Sequence, residues 1–279
     1  MIQQKAYESL KRHGFHFNKS LGQNFLLNDG IISDIVEKTG IARGDRVVEI
    51  GAGAGVLTAK LASTGAKVIA IEIDKNLEPV LREVLAGYDA RIIIADALKC
   101  DIAALFPETR FHVVANLPYY ITTDVMMNLT AIDTLDSITV LVQQEAASRI
   151  AANVGEEGYC ALSAVVRLFG KAQTLMDVEP GAFTPPPHVQ SSLLRVERHD
   201  DDTRDKRTID ATRRVIRAVF AMRRKTLVNN ITSAFGLTKQ QTTQIVESCG
   251  LSANIRGEAL GIDEMTRLAR ELIDREIIK

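Results

Sequence analysis

The stretch Val48-Glu49-Ile50-Gly51-Ala52-Gly53-Ala54-Gly55 decides the fold. A short β-branched run stops in glycines at alternate positions, and a helix-compatible segment, 56–63, follows at once. Glycines at a strand-to-helix turn accept backbone angles that other residues avoid and let the main chain approach a ligand closely. Outward from this turn, 46–50, 67–73, 91–95, 111–116 and 137–143 read as buried strands. Helical stretches at 56–63, 76–86, 98–105 and 123–130 alternate with them. Such alternation predicts a largely parallel sheet with helices on both faces and ligands beyond the carboxyl ends of the strands. Two later runs, 174–178 and 191–197, flank Phe183-Thr184-Pro185-Pro186-Pro187 and predict an antiparallel hairpin at the sheet edge. After a charged linker at 198–207 the rest reads as helix: 210–220 continuing through 227–231, then 238–249 and 263–278. The expected division is a domain of residues 1–200 with a basic N-terminal arm, and a small helical domain of residues 201–279.

Charge is balanced overall, with 34 basic and 35 acidic residues in 279, so nothing global drives the chain toward nucleic acid. The distribution is uneven. Lys5, Lys11, Arg12 and Lys19 gather near the start, and nine basic residues lie between Arg204 and Lys225. Local patches on a near-neutral chain suit a polyanion held at chosen places, although such runs are commonly only solvated faces. On a helix running on from Asp210, Arg213, Arg217 and Arg224 share one side, with Arg214 nearby. No apolar run approaches the ~20 residues of a membrane span. Cys100, Cys160 and Cys249 are scattered and form no metal-ligand spacing, which predicts reduced thiols in a cytoplasmic protein without a metal. A monomer is expected.

The predicted strand ends carry the chemistry. Val56 follows the glycines where a dinucleotide fingerprint would want glycine or alanine, so the turn suits a phosphate-free cofactor such as S-adenosylmethionine better than NAD. Ile71-Glu72-Ile73-Asp74 places the Glu72 carboxylate about 20 residues beyond the glycines, where it can accept hydrogen bonds from ribose hydroxyls. Asp96, at the next strand end, can bind the 6-amino group of the cofactor's adenine. A helix cap is the plainer role for either acid. Asn116-Leu117-Pro118-Tyr119-Tyr120 ends the fourth strand. An adenine amine is a poor nucleophile because its lone pair is delocalised into the ring. The Asn116 side-chain oxygen and the Leu117 carbonyl can accept its N–H bonds, Pro118 can hold that carbonyl in place, and Tyr119 can stack on an extruded base. Methyl transfer from a sulfonium then rests on positioning and electrostatics, with no metal required.

With these residues assembled, the chain resembles the KsgA/RsmA family of small-subunit (16S) ribosomal RNA adenine dimethyltransferases. The resemblance also rests on Lys19-Ser20-Leu21-Gly22-Gln23-Asn24-Phe25-Leu26, on Phe183-Thr184-Pro185-Pro186-Pro187-His188-Val189, on Phe220-Ala221-Met222-Arg223-Arg224-Lys225-Thr226-Leu227, and on Arg256-Gly257-Glu258-Ala259-Leu260. It implies a Rossmann-like, seven-stranded class I methyltransferase domain with a helical RNA-recognition domain. It also implies dimethylation of two adjacent adenosines in the 3′-terminal hairpin of small-subunit rRNA, with S-adenosylmethionine as cofactor and the 30S pre-ribosomal subunit as partner. The same resemblance implies cofactor contacts from Asn24, Leu26, Gly51, Gly53, Glu72, Asp96 and Asn116, and a Phe183 ring stacked on the target base opposite Tyr119. Cys160-Ala161, Gln190, Met222 and Val228 depart from the family pattern, which bears on RNA contacts rather than on methyl transfer. Three alternatives stay open: a large-subunit rRNA methyltransferase of the erythromycin-resistance type, a non-catalytic RNA-binding or transcription factor on the same fold, and a DNA adenine methyltransferase.

Overall fold

The computed structural model describes residues 2–18, 21–200 and 204–278. Lys19 and Ser20, which belong to the basic arm and to the Gly22-Gln23-Asn24 motif, and residues 201–203 of the linker lie outside the described residues. In chain order the first elements are α1 (Ile2–Arg12), β1 (Phe25–Leu26), α2 (Asp29–Thr39), β2 (Arg46–Ile50), α3 (Val56–Ser63), β3 (Lys67–Glu72), α4 (Glu78–Val84) and β4 (Ala90–Ile94). There follow β5 (Phe111–Asn116), α5 (Thr122–Leu129), β6 (Leu135–Gln143), α6 (Gln144–Ala151), α7 (Ala161–Phe169), β7 (Gly170–Val178), β8 (Phe183–Thr184) and β9 (Ser191–Arg198). The chain closes with α8 (Lys206–Val219), α9 (Leu227–Phe235), α10 (Lys239–Ser248) and α11 (Ile262–Asp274).

Seven strands form one sheet in the order β4-β3-β2-β5-β6-β9-β7. β2 to β6 run parallel, and β9 lies antiparallel to β6 with Val140 opposite Leu194. The two late strands are therefore neighbours at one edge, as expected. Val47, Val48, Ile71, Val113, Val114, Ile138 and Val140 are buried, as strands covered on both faces must be. From β2 the chain winds outward through β3 to β4, then returns to β5 on β2's other side. That reversal opens a crevice between the carboxyl ends of β2 and β5. The glycine turn stands there. A Cβ on Gly51, whose φ is 81°, would come within 3.2 Å of the Asn116 carbonyl oxygen and press on the β5 side of the crevice.

The chain divides into two compact units, residues 1–147 with 172–198, and residues 148–171 with 199–279. The sequence reading placed 148–171 in the first domain, whereas here it clusters with the C-terminal helices. The reason is apolar content. In α7, Leu162, Ala164, Val165, Val166, Leu168 and Phe169 are all buried, and Tyr159 just before it donates to the Leu260 carbonyl at 3.0 Å. A second correction concerns α8, which stops at Val219 instead of running on to 231. The turn at Gly257–Ala259 occupies the space beyond it: a Cβ on Gly257 would lie 2.6 Å from the Val219 carbonyl oxygen. Leu227 N–H then bonds to the Ile255 carbonyl at 2.7 Å, and Thr226 caps a new helix. Arg223, Arg224 and Lys225 consequently sit in a turn, and Arg224 does not extend the expected basic stripe. Among the described residues no helix is long and apolar enough to cross a membrane, and no group of three or more His, Cys, Asp or Glu is placed to hold a metal ion.

Candidate active site

One cavity, with about 1090 Å³ of empty space open to solvent, lies over the carboxyl ends of β2, β3, β4 and β5. It gathers nearly every residue singled out in the sequence. Gly51 and Gly53 come from the turn after β2, Glu72 and Asp96 from the ends of β3 and β4, and Asn24 from the segment before β1. Asn116, Leu117, Pro118 and Tyr119 form the opposite wall, and Phe183 reaches it from β8. Leu26 is the exception. It pairs with Phe183 across β1 and β8, is buried in the core, and lines a smaller neighbouring cavity with Glu49.

Glu72 is only 5% exposed, and its two oxygens accept the Gly53 N–H at 2.8 Å and the Asp74 N–H at 2.9 Å. Burial pushes its carboxyl above the ordinary range, while the Asp74 and Gly53 amides pull it back. The carboxylate thus braces the glycine turn as well as lining the cavity. Asp96 accepts the Leu98 N–H at 3.0 Å, a capping role, and its second oxygen lies 3.6 Å from Lys99 Nζ. Asn116 donates through Nδ2 to the Asn24 carbonyl at 3.0 Å, joining segments 92 residues apart. With one N–H of Nδ2 engaged there, the amide is held in place and Oδ1 is its acceptor. Leu117 is buried, with its N–H on the Leu141 carbonyl at 3.2 Å, and the Pro118 carbonyl accepts from Ile121 N–H at 3.2 Å. The wall is thereby fixed at three successive residues.

Tyr119 is half-exposed, and its hydroxyl faces Ser191 and Gln143; burial raises its pKa against those two hydrogen-bonding groups. Phe183 is expected to stack on a base, yet its side chain is 4% exposed and packs in the core that contains Phe25, Leu26 and Leu193. It presents only an edge of that core to the cavity. Among the lining residues that the sequence reading did not name as site residues, three stand out. Gln23 holds Asp74 through a 2.8 Å bond, Ile73 projects half-exposed beside Glu72, and Tyr120 is 61% exposed. An apolar side chain after the acidic residue at a strand end was the available signal for Ile73. Gln23 stands in the quoted Gly22-Gln23-Asn24 motif, but nothing local gave it a role, since its partner lies 51 residues away. Glu49, also unremarked as a site residue, is 1% exposed, and burial pushes its carboxyl up to about 8, with Thr58 opposing and Glu72 adding to the shift.

The family described as ribosomal RNA adenine dimethylase matches residues 14–274. The chain belongs to the ribosomal RNA adenine dimethylase family. Among the dimethylase relatives, the ribosomal RNA small subunit methyltransferase A of Lachnoclostridium phytofermentans is 38% identical, covering 98% of this chain and 97% of its own length. The protein of the same name from Enterococcus faecalis is 39% identical over 96% of this chain and 94% of its own. A crystal structure of a dimethyladenosine transferase from Plasmodium falciparum superposes with a TM-score of 0.76 at 26% identity, covering 89% of this chain and 97% of that one. The 23S rRNA methyltransferase ErmE, at a TM-score of 0.67 and 22% identity over 90% of this chain and all of its own, shares the fold. The dimethylase chain thus has a class I methyltransferase fold and is a methyltransferase.

Proposed function

We propose that this dimethylase transfers methyl groups from S-adenosylmethionine to the 6-amino groups of two adjacent adenosines in the 3′-terminal hairpin of small-subunit rRNA, in the cytoplasm, during subunit assembly. The observation that carries the reading is the Asn116 amide, tethered through its nitrogen and left with its oxygen as acceptor at the cavity wall. Two near full-length relatives named for the small-subunit RNA favour that substrate over the large-subunit one.

The lining fits the cofactor. Glu72 and Asp96 are hydrogen-bond acceptors for a nucleoside, Ile73 offers an apolar face, and among the described lining residues there is no Lys or Arg to balance a phosphate. Gly51 and Gly53 leave room for close backbone approach, and Asn24 flanks them; Leu26 contributes by anchoring β1 rather than through its side chain. When bound, S-adenosylmethionine supplies an electrophilic methyl group on a positive sulfur. Asn116 Oδ1 and the Leu117 carbonyl accept the two N–H bonds of the target amine, which lets the nitrogen pyramidalise and takes its lone pair out of conjugation with the ring. Each N–CH3 bond formed replaces one N–H, whose proton leaves to solvent. Pro118 holds the carbonyl, Tyr119 supplies a stacking face, and Phe183 backs the pocket from β8. The helical unit selects the RNA.

The test is mass spectrometry of 3′-terminal fragments from unmethylated small subunits incubated with the chain and cofactor. Two adjacent dimethylated adenosines are expected. Methylation of large-subunit RNA instead, or cofactor binding without transfer to either subunit, overturns the proposal.

A further inference from the structure

We infer that Tyr120 is a substrate-binding residue that stacks on the nucleobase beside the target adenine. This rests on the proposed function and extends it to a second nucleotide. The starting point is a turn. The Pro118 carbonyl accepts the Ile121 N–H at 3.2 Å, which closes four residues and puts Tyr119 and Tyr120 at its two central positions. Their side chains part there. Tyr119 heads toward Ser191 and Gln143, at the β9 and β6 ends. Tyr120 lies instead toward Gly22: a Cβ on Gly22 would come within 3.6 Å of Tyr120 Cε1 and 3.2 Å of Pro118 Cβ. The glycine, at φ 61°, makes a close-fitting shelf for one edge of the ring and leaves most of the ring in the open.

Exposure of one aromatic side chain is ordinary, but clustering is not. Among the described residues eight large apolar side chains are exposed, and three of them, Ile73, Tyr119 and Tyr120, line this single cavity. Ile73 adjoins Glu72 on the nucleoside side, and Tyr119 adjoins Asn116. Tyr120 stands next in the chain with no ligand yet assigned to it. A polynucleotide that extrudes one base brings that base's neighbour to the mouth with one of its stacking faces uncovered. Tyr120 replaces the lost partner; every base has a π-face to offer it, and the larger purine face stacks more strongly than a pyrimidine.

The experiment uses the full chain and unmethylated small subunits reconstituted with transcripts that carry either adenine or uracil next to the methylated position. Tyr120→Ala is expected to raise KM for the adenine-flanked subunits by about ten- to a hundredfold, the range of a lost base–aromatic stack. Tyr120→Phe should keep the wild-type KM, and cofactor affinity should hold in both variants. The wild type should favour the adenine-flanked transcript, and Tyr120→Ala should lose that preference. An unchanged KM in Tyr120→Ala, a preference that survives the substitution, or a fall in cofactor affinity overturns the inference while leaving the proposed function standing. Absence of methyl transfer by the wild type would overturn both.

Discussion

Asn116 is held by a bond that has nothing to do with its own strand, and this sets what its removal does. Nδ2 ties β5 to the Asn24 carbonyl, so Asn116→Ala removes both the acceptor for the amine and the tether of the segment before β1. Losing one such positioning partner costs about a hundred- to a thousandfold in rate. We expect at least that fall in kcat with a folded protein, judged by an unchanged circular dichroism spectrum; turnover above half of wild type would refute the role. Glu49 sets a different kind of test, because its folded-state pKa of about 8 lies far above the ordinary 4.5. Between those values the unfolded chain has released this proton and the folded chain keeps it, so the folded state binds more protons and stability falls as pH rises. The contribution is complete below pH 4.5 and is lost as pH rises through about 8. Urea midpoints measured from pH 5 to 9 should decline more steeply in the wild type than in Glu49→Gln, whose amide does not titrate; parallel curves would show that Glu49 is not the group responsible. At this scale the sequence was informative wherever a polar residue ended an apolar run, as with Glu72, Asp96 and Asn116. It placed Gln23 and Tyr120 inside quoted motifs but gave them no role, because what they do depends on partners distant in the chain.

Strands and helices differed in legibility for a physical reason. The parallel strands β2, β3, β5 and β6 are largely buried on both faces, so each appears in the sequence as a mostly apolar, β-branched run, while β4 at the sheet edge is only partly buried. α7 is short, and seven of its nine residues are buried, with Arg167 its only charged side chain, so Ala161–Phe169 passed unread as a helix. α1 passed unread for the opposite reason. Only Ala6, Ser9 and Leu10 are buried, and it is held by polar bonds, Ser9 and His13 to Glu83 and Lys5 to the Val84 carbonyl. The end of α8 was misread because its stop signal is tertiary. Gly257, 38 positions further along, fits against the Val219 backbone where a side chain cannot. Gly257→Ala forces that turn and the helix end apart, an overpacking change that costs roughly 1–3 kcal/mol. A lowered urea midpoint with an unchanged m-value is the expected result, and a midpoint equal to wild type would mean that the turn gives way freely.

For the whole molecule, a net charge of -1 means that attraction to RNA has to come from where the charges lie. In the N-terminal arm Arg12, though exposed, is paired with Glu83, and Lys5 bonds to a carbonyl, so among the described residues Lys11 is the exposed cation of that cluster that is not held by a carboxylate. The helical unit offers more. Along α8, Arg207, Arg214 and Arg217 are exposed, while Val215, Ile216 and Val219 are buried on the other side. Arg213, expected in this stripe, is half-buried and already engaged, so Arg207 takes its place. Arg214 lies 5.9 Å from the centre of the Phe235 ring, a contact that steadies the guanidinium without neutralising it. Each phosphate such a cation neutralises releases counterions and adds about 0.7–0.9 to the slope of log affinity against log salt. The double charge reversal Arg214→Glu with Arg217→Glu should therefore weaken binding to small subunits and flatten the slope by about 1.4–1.8 if both arginines contact phosphate. Cofactor affinity should stay at the wild-type value, because Glu72, Asp96 and Asn116 belong to the other unit. Filter binding between 50 and 300 mM salt would measure both quantities. A slope that survives the reversal would reduce the stripe to a solvated face and move the search to the turn that carries Arg223, Arg224 and Lys225.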